Sequence, residues 1–321
     1  MMHAAQPPAP PRPPVSAAPN RPLASASWIL LALLTILPAG LAQGAPDRAL
    51  RSALDSAYSR WRQAMVAEDA NAWSAATAPS RHAMTRNLIV SQRLPWPASL
   101  FQVPVIPPET SQLTLIDARQ KGPTALVAYL GGVDFGVTDS KLPENVLVIY
   151  FLESEGRWRF DRIGFVNLNA NPDVRAAIRK NDTSWLDSPR YALTGSVPPT
   201  PKPCPKPEYL GHVQVVSIGY KTDISINGGI HTGSTIDTIE TNVIIGGLKP
   251  GENKFRATIE PTEIPEDVDP YLEISVFATS DLEGRPPARV FHYIPHGDVP
   301  PLVSTAVWVT PTTLKNVEAN Q

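Results

Sequence analysis

The chain has 321 residues, with 28 Lys or Arg and 30 Asp or Glu, so its formal net charge is −2. Because phosphate binding needs an excess of positive charge, this composition argues against nucleic acid as a partner. The single cysteine, Cys204, excludes an internal disulfide and a metal site built on several thiolates. The length is sufficient for two ordinary domains with a core each.

An unbroken apolar run, WILLALLTIL, occupies residues 28–37, after two arginines and before several small residues. A basic start, a short apolar core and a small-residue exit are typical of a secretory signal. We therefore interpret residues 1–45 as a proline-rich N-terminus and signal peptide, cleaved after Ala42 or Gly44, and expect a secreted or periplasmic protein. The alternative is an uncleaved anchor that holds the chain at the outer side of a membrane, although a spanning helix needs about 20 apolar residues.

A long first helix follows, because five apolar residues recur at steps of three and four and so share one face: Leu50, Leu54, Tyr58, Trp61 and Met65. The opposite face is expected to carry Arg51, Asp55, Arg62 and Glu68, towards water. The stripe predicts that this face of the helix is buried in the core of its domain.

Further helices are predicted from capping residues and spacing. Asp69 can cap a second short helix, and Ser80 can cap a third whose Met84 and Leu88 point inward. A last helix is predicted over residues 172–185.

Between these helices the pattern changes to that of strands. Residues 125–130 and 146–152 are continuous apolar runs, which favours strands that are covered on both faces. Together with the helices on either side, these strands predict an α+β domain over residues 46–192. Within it, residues 47–190 resemble the NTF2-like superfamily in LDSAYSRWRQAMVAEDANAW at the start and VLVIYFLESEGRWRFDRIGF at the end. This resemblance implies a cone in which a curved antiparallel sheet wraps the first helix.

A proline-rich segment, SVPPTPKPCPKP at residues 196–207, separates the two halves of the chain. Proline fixes the backbone and removes hydrogen-bond donors, so we predict an extended linker over residues 193–208 with few contacts across it.

The second half, residues 209–314, predicts an all-β domain, followed by a tail at 315–321. Seven candidate strands are HVQVVSIGY, KTDISI, TNVIIGG, NKFRATIE, YLEISVFATS, ARVFHYI and TAVWVTP. About seven short strands in about a hundred residues resemble an immunoglobulin-like β-sandwich in architecture.

One group of residues suggests catalysis in the first domain. Asp134 lies in the glycine-rich segment LGGVDFGV, near the expected mouth of the cone. A carboxylate beside an apolar cavity has a raised pKa and can act as a general base. Tyr129 and Tyr150, on neighbouring strands, could donate hydrogen bonds to an oxyanion. The simpler interpretation is a turn aspartate with two sheet tyrosines.

A second constellation suggests calcium, since the loop EPTEIPEDVDP carries four acidic residues: Glu263, Glu266, Asp267 and Asp269. Calcium takes several oxygen ligands from flexible loops. The alternative is a solvated acidic loop, and apart from calcium the sequence predicts no cofactor.

The sequence favours an exported, non-catalytic binding protein, with a small-ligand cavity in the first domain and a recognition face on the sandwich. Its partner would be another protein or a small apolar ligand. One alternative is an NTF2-like enzyme, an isomerase or hydrolase that transfers a proton on a small apolar substrate. Another is a carbohydrate-binding module in the second domain.

Overall fold

The computed structural model describes residues 48–103, 105–133, 144–232, 238–279, 287–310 and 312. Within these ranges the chain is α+β, with four α-helices and three four-stranded antiparallel sheets. The apolar run at 28–37, Asp134 and the tail at 315–321 lie outside the described residues. Of the helices described, none has the length and apolar character needed to cross a membrane.

Three helices precede the first sheet: α1 (Arg48–Val66), α2 (Ala70–Ala76) and α3 (Pro79–Ser91). The first sheet consists of β1 (Thr114–Lys121), β2 (Thr124–Gly132), β3 (Glu144–Ser154) and β4 (Arg157–Asn167), in that spatial order. α4 (Pro172–Arg179) follows it.

The apolar stripe of α1 packs on one face of the first sheet, which confirms the predicted phase of this helix. Leu54, Tyr58 and Trp61 are buried there. The indole of Trp61 stacks on the ring of Phe160 in β4, with 3.7 Å between ring centroids. The helix therefore fills this face of the sheet with large side chains.

The opposite face of the first sheet is also covered, as the continuous apolar runs predict. Leu126, Val148 and Tyr150 point into a second core, which the segment after α4 closes with Leu186 and Tyr191. The predicted helix over 172–185 is interrupted, because Asn181 adopts a left-handed backbone conformation with φ of 55°. α4 ends at Arg179, and residues Ser184–Asp187 form a separate 3₁₀ turn.

The expected phase of α3 is wrong, whereas the predicted cap of α2 is confirmed. The Asp69 carboxylate accepts two backbone N–H bonds at the start of α2. Ser80 lies inside the first turn of α3 and does not cap it. Met84 and Leu88 are 45% and 42% exposed. The polar side of α3, with Asn87 and Ser91, is buried instead.

The buried side of α3 meets the proline-rich segment. The Asn87 side chain donates to the carbonyl of Lys202 at 2.8 Å and accepts from the amide of Cys204 at 2.9 Å. Arg93 donates to the carbonyl of Pro207 at 3.0 Å. An extended proline-rich backbone leaves its carbonyls without internal partners, so side chains can bind them. The expectation of few contacts is therefore wrong, and the segment is docked along α3.

Among its described residues, the second half has eight strands: β5 (Leu210–Ile218), β6 (Tyr220–Ile226), β7 (Gly229–Thr232), β8 (Thr238–Val243), β9 (Gly251–Pro261), β10 (Tyr271–Thr279), β11 (Ala288–Tyr293) and β12 (Leu302–Val309). The second sheet has the order β11-β10-β5-β8 and the third β12-β9-β6-β7. Val215 and Ile274 from the second sheet share one core with Ile224 and Phe255 from the third. The two sheets thus face each other.

Seven of these strands overlap predicted ones, although β8 shares only residues 241–243 with the predicted TNVIIGG, and the short β7 is the one that the sequence did not predict. β7 pairs with β6 across a two-residue turn at Asn227 and Gly228, which have φ of 52° and 84°. Asparagine followed by glycine favours this tight hairpin turn.

The two halves also touch directly. The backbone amide of Gly246, in the turn after β8, donates to the Ser91 hydroxyl of α3 at 2.8 Å. Residues 44–321 accordingly form one compact unit.

Candidate functional site

A polar cluster joins α1 to the first sheet at Tyr129. This tyrosine lies on β2, on the face that α1 covers, and its hydroxyl donates to the Asp55 carboxylate. Arg51, one turn earlier on α1, pairs with the other Asp55 oxygen at 3.4 Å. The expectation that Asp55 faces water holds only in part, because its carboxylate also binds the buried Tyr129. Asp55 lies next to Leu54 at the edge of the apolar stripe, and its side chain reaches the sheet from there.

The environment keeps the Tyr129 phenol protonated. Burial, together with the hydrogen bond to Asp55, raises the pKa of Tyr129 above its usual value. Tyr129 is almost fully buried, whereas the Asp55 side chain is about a third exposed. The cluster therefore holds a neutral hydrogen-bond donor against a carboxylate that solvent can reach.

The second predicted tyrosine lies elsewhere. Tyr150 packs in the core on the opposite face of the first sheet, where its hydroxyl donates to the carbonyl of Tyr191 at 3.1 Å. The guanidinium of Arg162 lies 3.5 Å above its ring. The structure therefore does not bring the hydroxyls of Tyr129 and Tyr150 together, because they point to opposite faces. Asp134, the predicted base, lies outside the described residues.

The acidic loop between β9 and β10 carries the predicted calcium ligands Glu263, Glu266, Asp267 and Asp269. Across the described part of the chain, no three His, Cys, Asp or Glu side chains converge as a metal site requires. The calcium site stays a prediction from composition.

A second polar cluster lies on the outer face of the second sheet, centred on the Glu273 carboxylate. One oxygen accepts from the Tyr271 hydroxyl at 2.8 Å, and the other lies 2.9 Å from His292 Nε2. Arg289 contributes a guanidinium nitrogen at 3.9 Å. The hydrogen bond from Tyr271, with the neighbouring His292 and Arg289, lowers the pKa of the Glu273 carboxyl. The carboxylate is held ionised in one orientation at the surface.

Apolar side chains continue this face. Glu273 pairs across the sheet with Val216 of β5, which in turn pairs with Ile239 of β8. Ile239 is 67% exposed. The alternation of YLEISV in the sequence places Tyr271 and Glu273 on the same side of a strand. The strand pairing, which brings them to His292 and Ile239, involves residues far apart in the chain.

The Tyr129–Asp55 bond can be tested by Tyr129→Phe. We expect a loss of about 1–2 kcal/mol in the free energy of unfolding, because a buried hydrogen bond to a carboxylate disappears. Because the pKa of Tyr129 is higher in the folded than in the unfolded state, its stabilisation of the fold is complete below the unfolded pKa of about 10 and declines as the pH rises above it. The loss of unfolding free energy in Tyr129→Phe should therefore shrink above about pH 10. Urea unfolding at pH 7 and pH 10.5 measures both effects. Tyr271→Phe, at an exposed tyrosine that also binds a carboxylate, is the control and should cost less than about 0.5 kcal/mol. An equal cost for both variants would contradict the assignment.

The structure thus offers two polar clusters as candidate functional sites: Arg51–Asp55–Tyr129 in the first half, and Tyr271–Glu273–Arg289–His292 on the outer face of the second sheet. In the first cluster only Tyr129 is buried, whereas no side chain of the second is buried. Comparison of the chain with protein-family models, with curated proteins and with solved structures finds no significant match.

Proposed function

We propose that this chain is an exported, non-catalytic binding protein. In this proposal residues 46–192 form an NTF2-like domain, and residues 209–314 form an immunoglobulin-like sandwich that presents the recognition face. The observation that carries the proposal is the outer face of the second sheet, where the exposed Ile239 lies in register with the fixed carboxylate of Glu273.

The composition of that face supports recognition of another protein. Exposed apolar side chains next to oriented polar groups are typical of protein interfaces, in which an apolar centre has a polar rim. Tyr271, His292 and Arg289 already hold the Glu273 carboxylate before any partner arrives. A group that is fixed in advance loses less conformational entropy on binding.

The first half supports a scaffold role in this proposal. Leu54, Tyr58 and Trp61 of α1 occupy the face of the first sheet that a ligand chamber would need. The long helix against a four-stranded antiparallel sheet is the arrangement expected of an NTF2-like domain. That domain would position the second half through the contacts of α3.

An enzymatic role in the first domain is the second candidate, and the Asp55–Tyr129 pair favours it. Asp55 presents a partly exposed carboxylate that a buried phenol holds in place. Such a carboxylate can accept a proton from a small apolar substrate at the edge of the sheet. Asp134 would be the additional base in this candidate.

Paired photo-cross-linking tests the binding proposal and separates it from carbohydrate binding. A photoreactive residue replaces Ile239 in one variant and Trp308 in the other. Trp308 is 55% exposed on β12 of the third sheet, and is the aromatic side chain that a carbohydrate-binding module would use. We expect a discrete protein adduct in the exported fraction of the native host through position 239 but not through position 308. Adducts of the same size from both positions, or from neither, would contradict the proposal.

A further inference from the structure

A surface groove lies between the turn that joins α1 to α2 and the turn that follows α3. It has a volume of about 510 Å³ and is lined by Glu68, Ala70, Pro97, Ala98, Phe101 and Gln102. Small-molecule sites in proteins are concave, have this size, and combine a mostly apolar lining with a few polar groups. In this groove the apolar part comes from alanines, a proline and one aromatic ring. The polar part is one carboxylate and one amide.

The carboxylate is held at an unfavourable backbone position. Glu68 has φ of 53°, in the left-handed region that favours glycine. It follows the end of α1, where the amide of Asp69 donates to the carbonyl of Ala64 at 3.0 Å. This is the helix ending at which glycine is the usual residue. A glutamate at this position costs stability, so its side chain is a candidate for a function.

Two other charged residues share this positive φ, and their side chains bind elsewhere in the protein. Arg93 binds the carbonyl of Pro207, and Glu155 pairs with Arg159 at 2.6 Å. In both cases the side chain makes a polar contact within the protein. The Glu68 side chain lines the groove instead.

We propose that this groove binds a small organic ammonium ion with an apolar body, independently of the recognition face on the second sheet. The Glu68 carboxylate supplies the counter-charge, and the amide oxygen of Gln102 can accept a further N–H bond. Phe101, which is partly buried against the first core, contacts the apolar body together with the neighbouring Pro97 and Ala98. An aromatic ring beside a carboxylate attracts a cation by its π-electrons as well as by charge. The small extent of the groove, which six residues line, favours a free small molecule over a protein, whose interface takes about 20–30 residues on each side.

The test uses phenethylammonium as the probe and the intact chain without its predicted signal, followed by ligand-observed NMR. We expect saturable binding in the millimolar range, on the order of that expected for a ligand of so few atoms. The uncharged analogue 2-phenylethanol should bind at least about tenfold more weakly, since it lacks the charge that Glu68 recognises. A short lysine peptide tests whether the groove binds a protein instead, and it should also bind more weakly than phenethylammonium.

Two variants locate the site. Glu68→Gln should weaken phenethylammonium binding about tenfold, and Phe101→Ala should weaken it as well. Glu252→Gln, at an exposed glutamate on β9, is the matched control and should leave the affinity unchanged. Glu68→Gly should also abolish binding but raise thermal stability, because glycine suits the left-handed backbone. Equal binding of the alcohol, tighter binding of the lysine peptide, or equal loss in Glu252→Gln and Glu68→Gln would overturn the proposal.

Discussion

Trp61→Ala is expected to lower the free energy of unfolding by about 3–5 kcal/mol, the range for truncation of a large aromatic residue in a core. Trp61 is 7% exposed and stacks on Phe160, so its removal leaves a cavity between α1 and β4. This is a large part of the stability of a typical domain. Urea unfolding of the intact chain, followed by circular dichroism, measures the change.

Arg60→Ala is the control, since Arg60 is exposed on the opposite side of α1, and it should cost less than about 0.5 kcal/mol. Arg62, which the sequence also places towards water, is unsuitable. Its guanidinium donates to the carbonyl of Pro107 at 2.7 Å and pairs with Glu109 at 3.2 Å. Small and equal costs for Trp61→Ala and Arg60→Ala would mean that α1 does not pack on the first sheet.

Asn87→Ala is expected to release the proline-rich segment from α3. Asn87 is buried and bridges Lys202 and Cys204, so its truncation leaves the Cys204 amide and the Lys202 carbonyl, which are part-buried in these hydrogen bonds, without their partner. Such a loss costs about 1–3 kcal/mol. Cys204, the only cysteine, reports the release, because its sulfur lies 3.5 Å from the Ser91 hydroxyl in the docked segment. The rate of thiol labelling in the intact chain should rise about tenfold, the factor that corresponds to about 1.4 kcal/mol of easier opening.

Asn71→Ala provides the comparison, since Asn71 is an exposed asparagine on α2 and its loss should leave the labelling rate unchanged. Labelling of the unmodified chain in urea gives the rate for a fully accessible thiol. If the native chain already reacts at that rate, or if Asn87→Ala reacts no faster than the native chain, the segment is not docked.

The fold could be predicted from the sequence where the signal was local. The stripe of Leu54, Tyr58 and Trp61 follows from helical periodicity alone, and the Asp69 cap from one residue and its neighbours. The phase of α3 could not be predicted in this way. Asn87 and Ser91 look like surface residues. They are buried because two segments more than a hundred residues later, at Lys202 and at Gly246, supply hydrogen-bond partners.

The candidate sites were less predictable, because strand register decides which side chains meet. Tyr129 and Tyr150 lie on adjacent strands, yet β2 pairs Tyr129 with Leu147 and so leaves Tyr150 on the other face. Asp55 reaches Tyr129 across 74 positions of sequence. Glu273 meets His292 only after β10 and β11 pair. The spacing of these residues along the chain does not predict which of them meet in the fold.

The most direct test of the binding proposal compares two charged variants in their affinity for the partner that is captured through position 239. Ile239→Asp places a carboxylate on the proposed face, on the edge strand β8 and in the same cross-strand row as Glu273, and should weaken binding at least about tenfold, or about 1.4 kcal/mol. Trp308→Asp makes the same kind of change at an exposed apolar residue of the third sheet and should alter the affinity less than about twofold. Both variants should retain the unfolding midpoint of the parent chain, since both side chains are exposed. Equal affinities for Ile239→Asp and the parent chain, or a greater loss in Trp308→Asp, would contradict a recognition face on the second sheet.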